Sequence, residues 1–171
     1  MRLHLVDDNP TLVSAWRIHF ARYPDVRIHH GDILAVAKGC LVSPANSYGY
    51  MDGGVDAAYA RFFGPRVEEA VLNLIASRPE GHLPVGAAGY VATRHPVIPY
   101  LIVAPTMQMP EHMPAVNAQR ALRAILRLVS TTPELDTDVY CPGLGSGVGQ
   151  IDPDECARQM AAGYSAVSPE I

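Results

Sequence analysis

Charge is scarce in this chain, and positive charge scarcest. Charged residues make up 18% of the 171, and 13 Lys plus Arg stand against 17 Asp plus Glu, for a formal net charge of -4 with no basic block. Duplex nucleic acid asks for many neutralised phosphates, so it is excluded as a partner. A small anion is still compatible, because backbone N–H groups hold phosphate without net positive charge. Cysteine is sparse too. Cys40, Cys141 and Cys156 are odd in number and share no CxxC spacing, which argues against a disulfide framework or zinc knuckle and for buried reduced thiols. The seven histidines lack HExxH spacing, so no metal site and no metal cofactor are expected. No apolar run reaches the roughly 18 residues of a membrane span, and MRLHLVDDNP has two early acids and no signal-like apolar stretch. The expectation is a soluble, cytoplasmic protein with no membrane partner.

Three catalytic or nucleotide signatures are also missing. There is no GxxxxGK[ST] P-loop, no GxGxxG at the first strand–helix turn and no GxSxG elbow. Triphosphate hydrolysis by a P-loop, a dinucleotide fingerprint at the first turn and serine-hydrolase chemistry are thereby disfavoured.

What is present suits one compact domain over residues 1–171, with a 49% hydrophobic content ample for a single core. Leu3 and Leu5 alternate with polar residues like a half-buried strand, and Asn9-Pro10 offers a cap and a first-turn proline for a helix to about Arg22. Strands are expected at Val26–His30, at Cys40–Ser43, within GAAGYVATR and YLIVAPTM, and at DVYCPGL. Helices are expected from Gly54 to Gly64 and from about Arg66 to Ser77. Two more follow, one through Ala118, Ala121, Leu122, Ile125, Leu126 and Val129, and one from about Pro153 to Tyr164. Strands alternating with helices of ten or more residues predict an α/β layered domain.

Two glycine-bearing segments follow short apolar strands: LVSPANSYGYMDGGVDAAY and VYCPGLGSGVGQID. Ligands in such sheets sit at strand C-termini. Gly53-Gly54 permits close backbone approach, and a helix opening near Val55 aims free N–H groups at the same place. Gly143, Gly145, Gly147 and Gly149 alternate with Leu144, Ser146 and Val148, which lets a backbone curl around an anion. Either loop alone is as readily a tight turn; the pair favours a diphosphate cradle. Asp32 in HGDIL is placed to accept from an exocyclic amine or, as its residue type favours, to cap a helix. Asn46 suits a ribose hydroxyl or a turn. Asp56, in the first turn of its helix, suits an oriented water or simply the helix dipole. Cys141 reads as a small core residue.

Taken in order, these segments resemble the macro domain family, over roughly Asp32 to Tyr164. HGDIL resembles the family's GDI segment, which implies adenine contact for Asp32 and ligand contact for Ile33. LVSPANSYGYMDGGVDAAYARFFG resembles the family's VNAAN…GGGVDGAIHRAAG stretch. It implies distal-ribose contact for Asn46, phosphate contact for Gly53, Gly54 and Val55, and water orientation by Asp56. CPGLGSGVG resembles the second phosphate loop and implies that Gly145, Ser146, Gly147 and Val148 surround the diphosphate. The resemblance implies a three-layer α/β/α sandwich with a mixed central sheet, and ADP-ribose or an ADP-ribosylated protein as ligand. The implied activity is hydrolysis of ADP-ribosyl esters on acidic side chains through Asn46 and Asp56. A non-catalytic ADP-ribose reader, or a phosphatase or deacetylase of free ADP-ribose derivatives, is the alternative. Two positions depart from the pattern: Ala60 stands where many hydrolytic members carry His, and Gly149 where an aromatic ring packs on the distal ribose, a gap that Tyr48 or Tyr50 is expected to fill.

Overall fold

The computed structural model describes residues 1–135 and 137–168. Six short strands form one sheet in the order β2-β1-β6-β3-β5-β4. They are β1 (Leu3–Asp7), β2 (Arg27–His30), β3 (Cys40–Ser43), β4 (Gly89–Ala92), β5 (Tyr100–Val103) and β6 (Val139–Cys141). All neighbours run parallel except β4, which pairs antiparallel with β5 at the edge. The helices are α1 (Pro10–His19), α2 (Ile33–Val36), α3 (Gly54–Phe63), α4 (Pro65–Ala76), α5 (Val116–Thr131) and α6 (Pro153–Ser165).

Strand periodicity separates two apolar layers, because successive side chains leave opposite faces of a sheet. Leu3, Leu5, Cys40, Val42, Ile102, Val139 and Cys141 pack with residues of α1, α5 and α6 on one face. Val6, Leu41, Leu101, Val103 and Tyr140 join Tyr59, Val67, Val71 and Ile75 of α3 and α4 on the other. With both faces covered, the central strands read as nearly unbroken apolar runs, as buried parallel strands do. The result is the mixed three-layer α/β/α architecture. All three cysteines are buried free thiols. Among the described residues, no helix is long and apolar enough to cross a membrane, and no group of three or more His, Cys, Asp or Glu is placed to hold a metal.

The end of the first helix and a short extra helix depart most from the sequence pattern. The first helix stops at His19 rather than near Arg22. Phe20 breaks from it so that Tyr23, bonded back through its N–H to Phe20 O at 2.9 Å, packs its ring edge-on to Phe20 and Tyr164. The four-residue helix α2 escapes any periodicity argument by its length; Asp32 caps it, its Oδ1 accepting from the N–H of Leu34 at 2.9 Å.

Candidate functional site

Parallel strands deliver their C-terminal ends to one edge of the sheet, and there the protein opens a cleft of about 480 Å³. Its wall follows the strand order: Gly31, Asp32 and Ile33 beyond β2; Asp7, Asp8 and Asn9 at β1; Pro142, Gly143 and the stretch from Gly145 to Gly149 beyond β6; Pro44 and the start of α3 beyond β3; Thr106 and Met107 beyond β5. The two glycine-bearing loops face each other across it.

The first loop ends in an uncapped helix. Gly53 is the cap residue of α3 and offers no side chain, and the helix's first backbone bond runs from Ala57 N–H to Gly53 O at 3.2 Å. The N–H groups of Gly54, Val55 and Asp56 therefore have no acceptor within the helix, and they sit at its positive dipole end. Gly54 adopts φ +57, a left-handed conformation that a side chain resists. A Cβ built there would lie 3.3 Å from Val148 Cγ2, so the loops touch at this point.

The second loop is held from three sides. Asp7 reaches over from β1, its Oδ2 accepting from Gly143 N–H at 3.1 Å while its Oδ1 accepts from Asn9 N–H at 2.9 Å. Ile151 N–H closes the loop onto Gly145 O at 3.0 Å, and Met113 N–H donates to Gly149 O at 3.3 Å. The N–H groups of Ser146, Gly147 and Val148 donate to no other described residue. Cross-linked in this way, the loop presents backbone donors without having to reorganise.

Below the first loop lies Asp56, buried to 6% exposure but still part of the cleft wall. Ser43 Oγ, at the end of β3, donates to Asp56 Oδ1 at 2.6 Å. Burial raises the carboxyl pKa to about 7, against the lowering effect of the Ser43 hydrogen bond. One helical turn on, Tyr59 is fully buried and donates to Val42 O at 3.1 Å, which anchors α3 to the sheet beneath the site. The cleft thus carries four carboxylates, Asp7, Asp8, Asp32 and Asp56, and among the described residues that line it no Lys, Arg or His. Affinity for an anion therefore comes from backbone N–H groups and neutral side chains such as Ser146, without a side-chain cation among the described lining residues.

The segment from the third strand to the last helix is decisive for relationship: residues 42–160 match the family profile described as Macro domain. The chain belongs to the macro domain family. An uncharacterized protein of Aeropyrum pernix is 35% identical over 136 residues, 79% of this chain and 68% of that protein. One of Aquifex aeolicus is 31% identical over 148 residues, 85% and 84% of the two chains. A shorter stretch of 68 residues, 37% of this chain and 38% of the other, is 41% identical to an O-acetyl-ADP-ribose deacetylase of Citrobacter rodentium. Among solved structures, the macrodomain of Mycobacterium tuberculosis DarG superposes with TM-score 0.67 at 22% identity, covering 80% of this chain and 87% of that one. The Oceanobacillus iheyensis macrodomain with ADP superposes with TM-score 0.67 at 20% identity, covering 78% and 71%. At that identity, these two establish the fold.

Within this macro domain, Asp32, Ile33, Gly53, Gly54, Val55, Asp56, Gly145, Ser146, Gly147 and Val148 all line one cleft. Asn46 does not. Its Nδ2 donates to Tyr50 O at 2.8 Å, and its Oδ1 accepts from the N–H groups of Tyr48 and Tyr50 at 3.1 and 3.3 Å. The side chain is thus committed to the 46–50 turn. Neither Tyr48 nor Tyr50 lines the cleft either: Tyr50 is half exposed and Tyr48 leans toward His82. The space beside Gly149 belongs to Met113, whose Cγ lies 2.6 Å from a Cβ built on that glycine. Ala60 packs into the apolar layer under α3. Sequence reasoning missed Asp7, Asp8, Asn9, Thr106 and Met107. Asp8 and Asn9 carried a usable signal, since they directly follow β1 and lead into α1, the position where α/β sheets hold ligands.

Proposed function

We propose that this macro domain binds ADP-ribose and hydrolyses ADP-ribosyl esters on acidic side chains, with Asp56 activating water. The observation that carries the reading is the meeting of two backbone donor sets, the uncapped start of α3 and the Ser146–Val148 turn, above a buried carboxyl whose pKa is raised to about 7. A diphosphate fits that pair of donor sets without any cationic side chain. Asp32 combines two roles here: one oxygen caps α2, and the residue lines the cleft as the acceptor proposed for the adenine amine, with Ile33 beside it. Asn46 acts as a positioning residue, fixing the turn that leads into Gly53 and Gly54.

In the hydrolytic step Asp56 takes a proton from a water that attacks the ester linkage at or next to the distal ribose. The C–O ester bond breaks, releasing the side-chain carboxylate when the ribose carbon is attacked, or the ribose hydroxyl, protonated in turn by Asp56, when the acyl carbon is attacked, and the loop N–H groups stabilise the charge that develops. A base with a pKa near 7 is half deprotonated at neutral pH, close to the optimum for proton abstraction. The Citrobacter rodentium relative, named as a deacetylase of an ADP-ribose ester, and the ADP-bound Oceanobacillus iheyensis structure support the ligand class.

The test is release of ADP-ribose from a protein mono-ADP-ribosylated on glutamate. The expected rate rises with pH through about 7, and Asp56→Asn lowers it by about 100-fold or more. Absence of release at high enzyme concentration, with ADP-ribose still bound, selects the non-catalytic reader.

A further inference from the structure

The end of β1 lies outside the stretch that matches the family profile, residues 42–160, yet it forms the floor between the two ends of the cleft. Its three residues have different occupations. Asp7 is fully engaged, one oxygen on Asn9 N–H and the other on Gly143 N–H. Asn9 caps α1, its Oδ1 accepting from Thr11 N–H at 3.0 Å. Asp8 is exposed; its backbone oxygen accepts from His30 Nε2 at 3.0 Å, and its carboxylate accepts from no described residue.

The strand order fixes what lies over this position. From the edge inward the strands run β2, β1, β6, β3, spaced about 4.8 Å apart. With the base held at Asp32 beyond β2, and the diphosphate between the loop beyond β6 and the start of α3, the nucleoside ribose crosses the end of β1. We infer that Asp8 reads that ribose, accepting from its free hydroxyl groups and rejecting a ligand phosphorylated there. This rests on the proposed ADP-ribose reading and narrows it to a substrate class: diphosphates whose nucleoside ribose carries no phosphate.

The physical case is the one-sided charge of the wall. A 2′-phosphate would bring close to two negative charges over β1, next to Asp7, Asp8 and Asp32, with no Lys, Arg or His among the described residues of the cleft. A carboxylate is a natural acceptor for a ribose diol, whereas a ribose phosphate calls for an arginine. Screened like-charge repulsion at this range weakens binding by about 30-fold.

The experiment is calorimetric titration of the full chain, and of Asp8→Asn, with ADP-ribose and with 2′-phospho-ADP-ribose. The expected result is ADP-ribose favoured by about 30-fold in the native chain, with the ratio falling several-fold in Asp8→Asn because one repelling charge is gone. Equal affinities for the two ligands in the native chain overturn the inference and leave the ADP-ribose reading standing. A preference that persists undiminished in Asp8→Asn also overturns it, since the discrimination then lies in shape elsewhere. Failure of ADP-ribose itself to bind overturns both.

Discussion

A Cβ placed on Gly145, in the second loop, would lie 2.6 Å from Met113 Sδ and 2.8 Å from Ile151 Cδ1, and the residue sits at φ +89. A Cβ placed on Gly53, in the first loop, would meet nothing within 4 Å, and the backbone there is extended at φ -141. The same residue type thus serves two purposes across one cleft. At Gly145 glycine is required by the protein, because the backbone sits at φ +89 and a side chain would press on Met113 and Ile151. At Gly53 glycine leaves open space above the helix N-terminus, and what needs that space is whatever occupies the cleft. Stability and ligand affinity are therefore expected to separate between these two positions.

Gly145→Ala breaks the comparison most strongly. Left-handed strain and overpacking against Met113 and Ile151 together cost about 4 kcal/mol, read as a lower midpoint in denaturant unfolding, with ADP-ribose affinity lost as well. A variant of native stability would mean that the second loop relaxes freely and that its rigidity is not built in.

Asp56→Asn sharpens the contrast from the side of chemistry. The folded carboxyl has a pKa raised from 3.8 to about 7, so the folded state binds the proton more tightly than the unfolded chain. The associated stability is complete below about pH 4 and is lost as pH rises through about 7. A shift of roughly three units corresponds to about 4 kcal/mol of cost in holding the ionised group at pH 8, less about 1 kcal/mol for the amide group placed there instead. The variant is expected to be about 3 kcal/mol more stable than the native chain at pH 8 and little different at pH 4. Thermal unfolding at the two pH values measures this, and a pH-independent difference contradicts a buried, ionising Asp56. Activity and stability then oppose each other at one residue, as buried catalytic carboxyls lead one to expect.

Gly53→Ala has the smallest effect on the fold. The weaker cap and the reduced unfolded-state freedom offset one another to within about 0.5 kcal/mol, so the melting temperature should hold. The added methyl stands in the open space above the α3 N-terminus and is expected to weaken ADP-ribose by about 10-fold, or about 1.4 kcal/mol. Unchanged affinity would mean that the ligand keeps clear of this helix end.

The same division explains what was legible in the sequence. The strands, and both glycine loops, announce themselves locally: Cys40–Ser43 and Val139–Cys141 are apolar runs followed at once by turn residues, and the long helix α5 repeats its buried positions through Ala118, Ala121, Leu122 and Ile125. Asp56 was legible as a first-turn acid, while its burial and its bond to Ser43, 13 residues earlier, depend on α3 lying against β3. Asp7 was out of reach, because its partner Gly143 is 136 residues away and only the β1–β6 pairing brings them together. Asn46 shows the opposite case: local turn chemistry, the usual task of an Asn in such a segment, claimed its side chain within four residues.

The account rests on backbone donors holding a diphosphate in a cleft without cations. The most direct measurement is a calorimetric titration of the native chain with ADP-ribose, set against ATP, NAD and GDP at the same ionic strength. The account predicts saturable one-to-one binding of ADP-ribose at micromolar concentration, with ATP much weaker because its third phosphate extends past the two donor sets with no lysine to meet it, and GDP weaker because guanine presents a carbonyl oxygen where adenine presents its amine to Asp32. Binding of ATP as tight as that of ADP-ribose, or no binding of ADP-ribose at all, would contradict it.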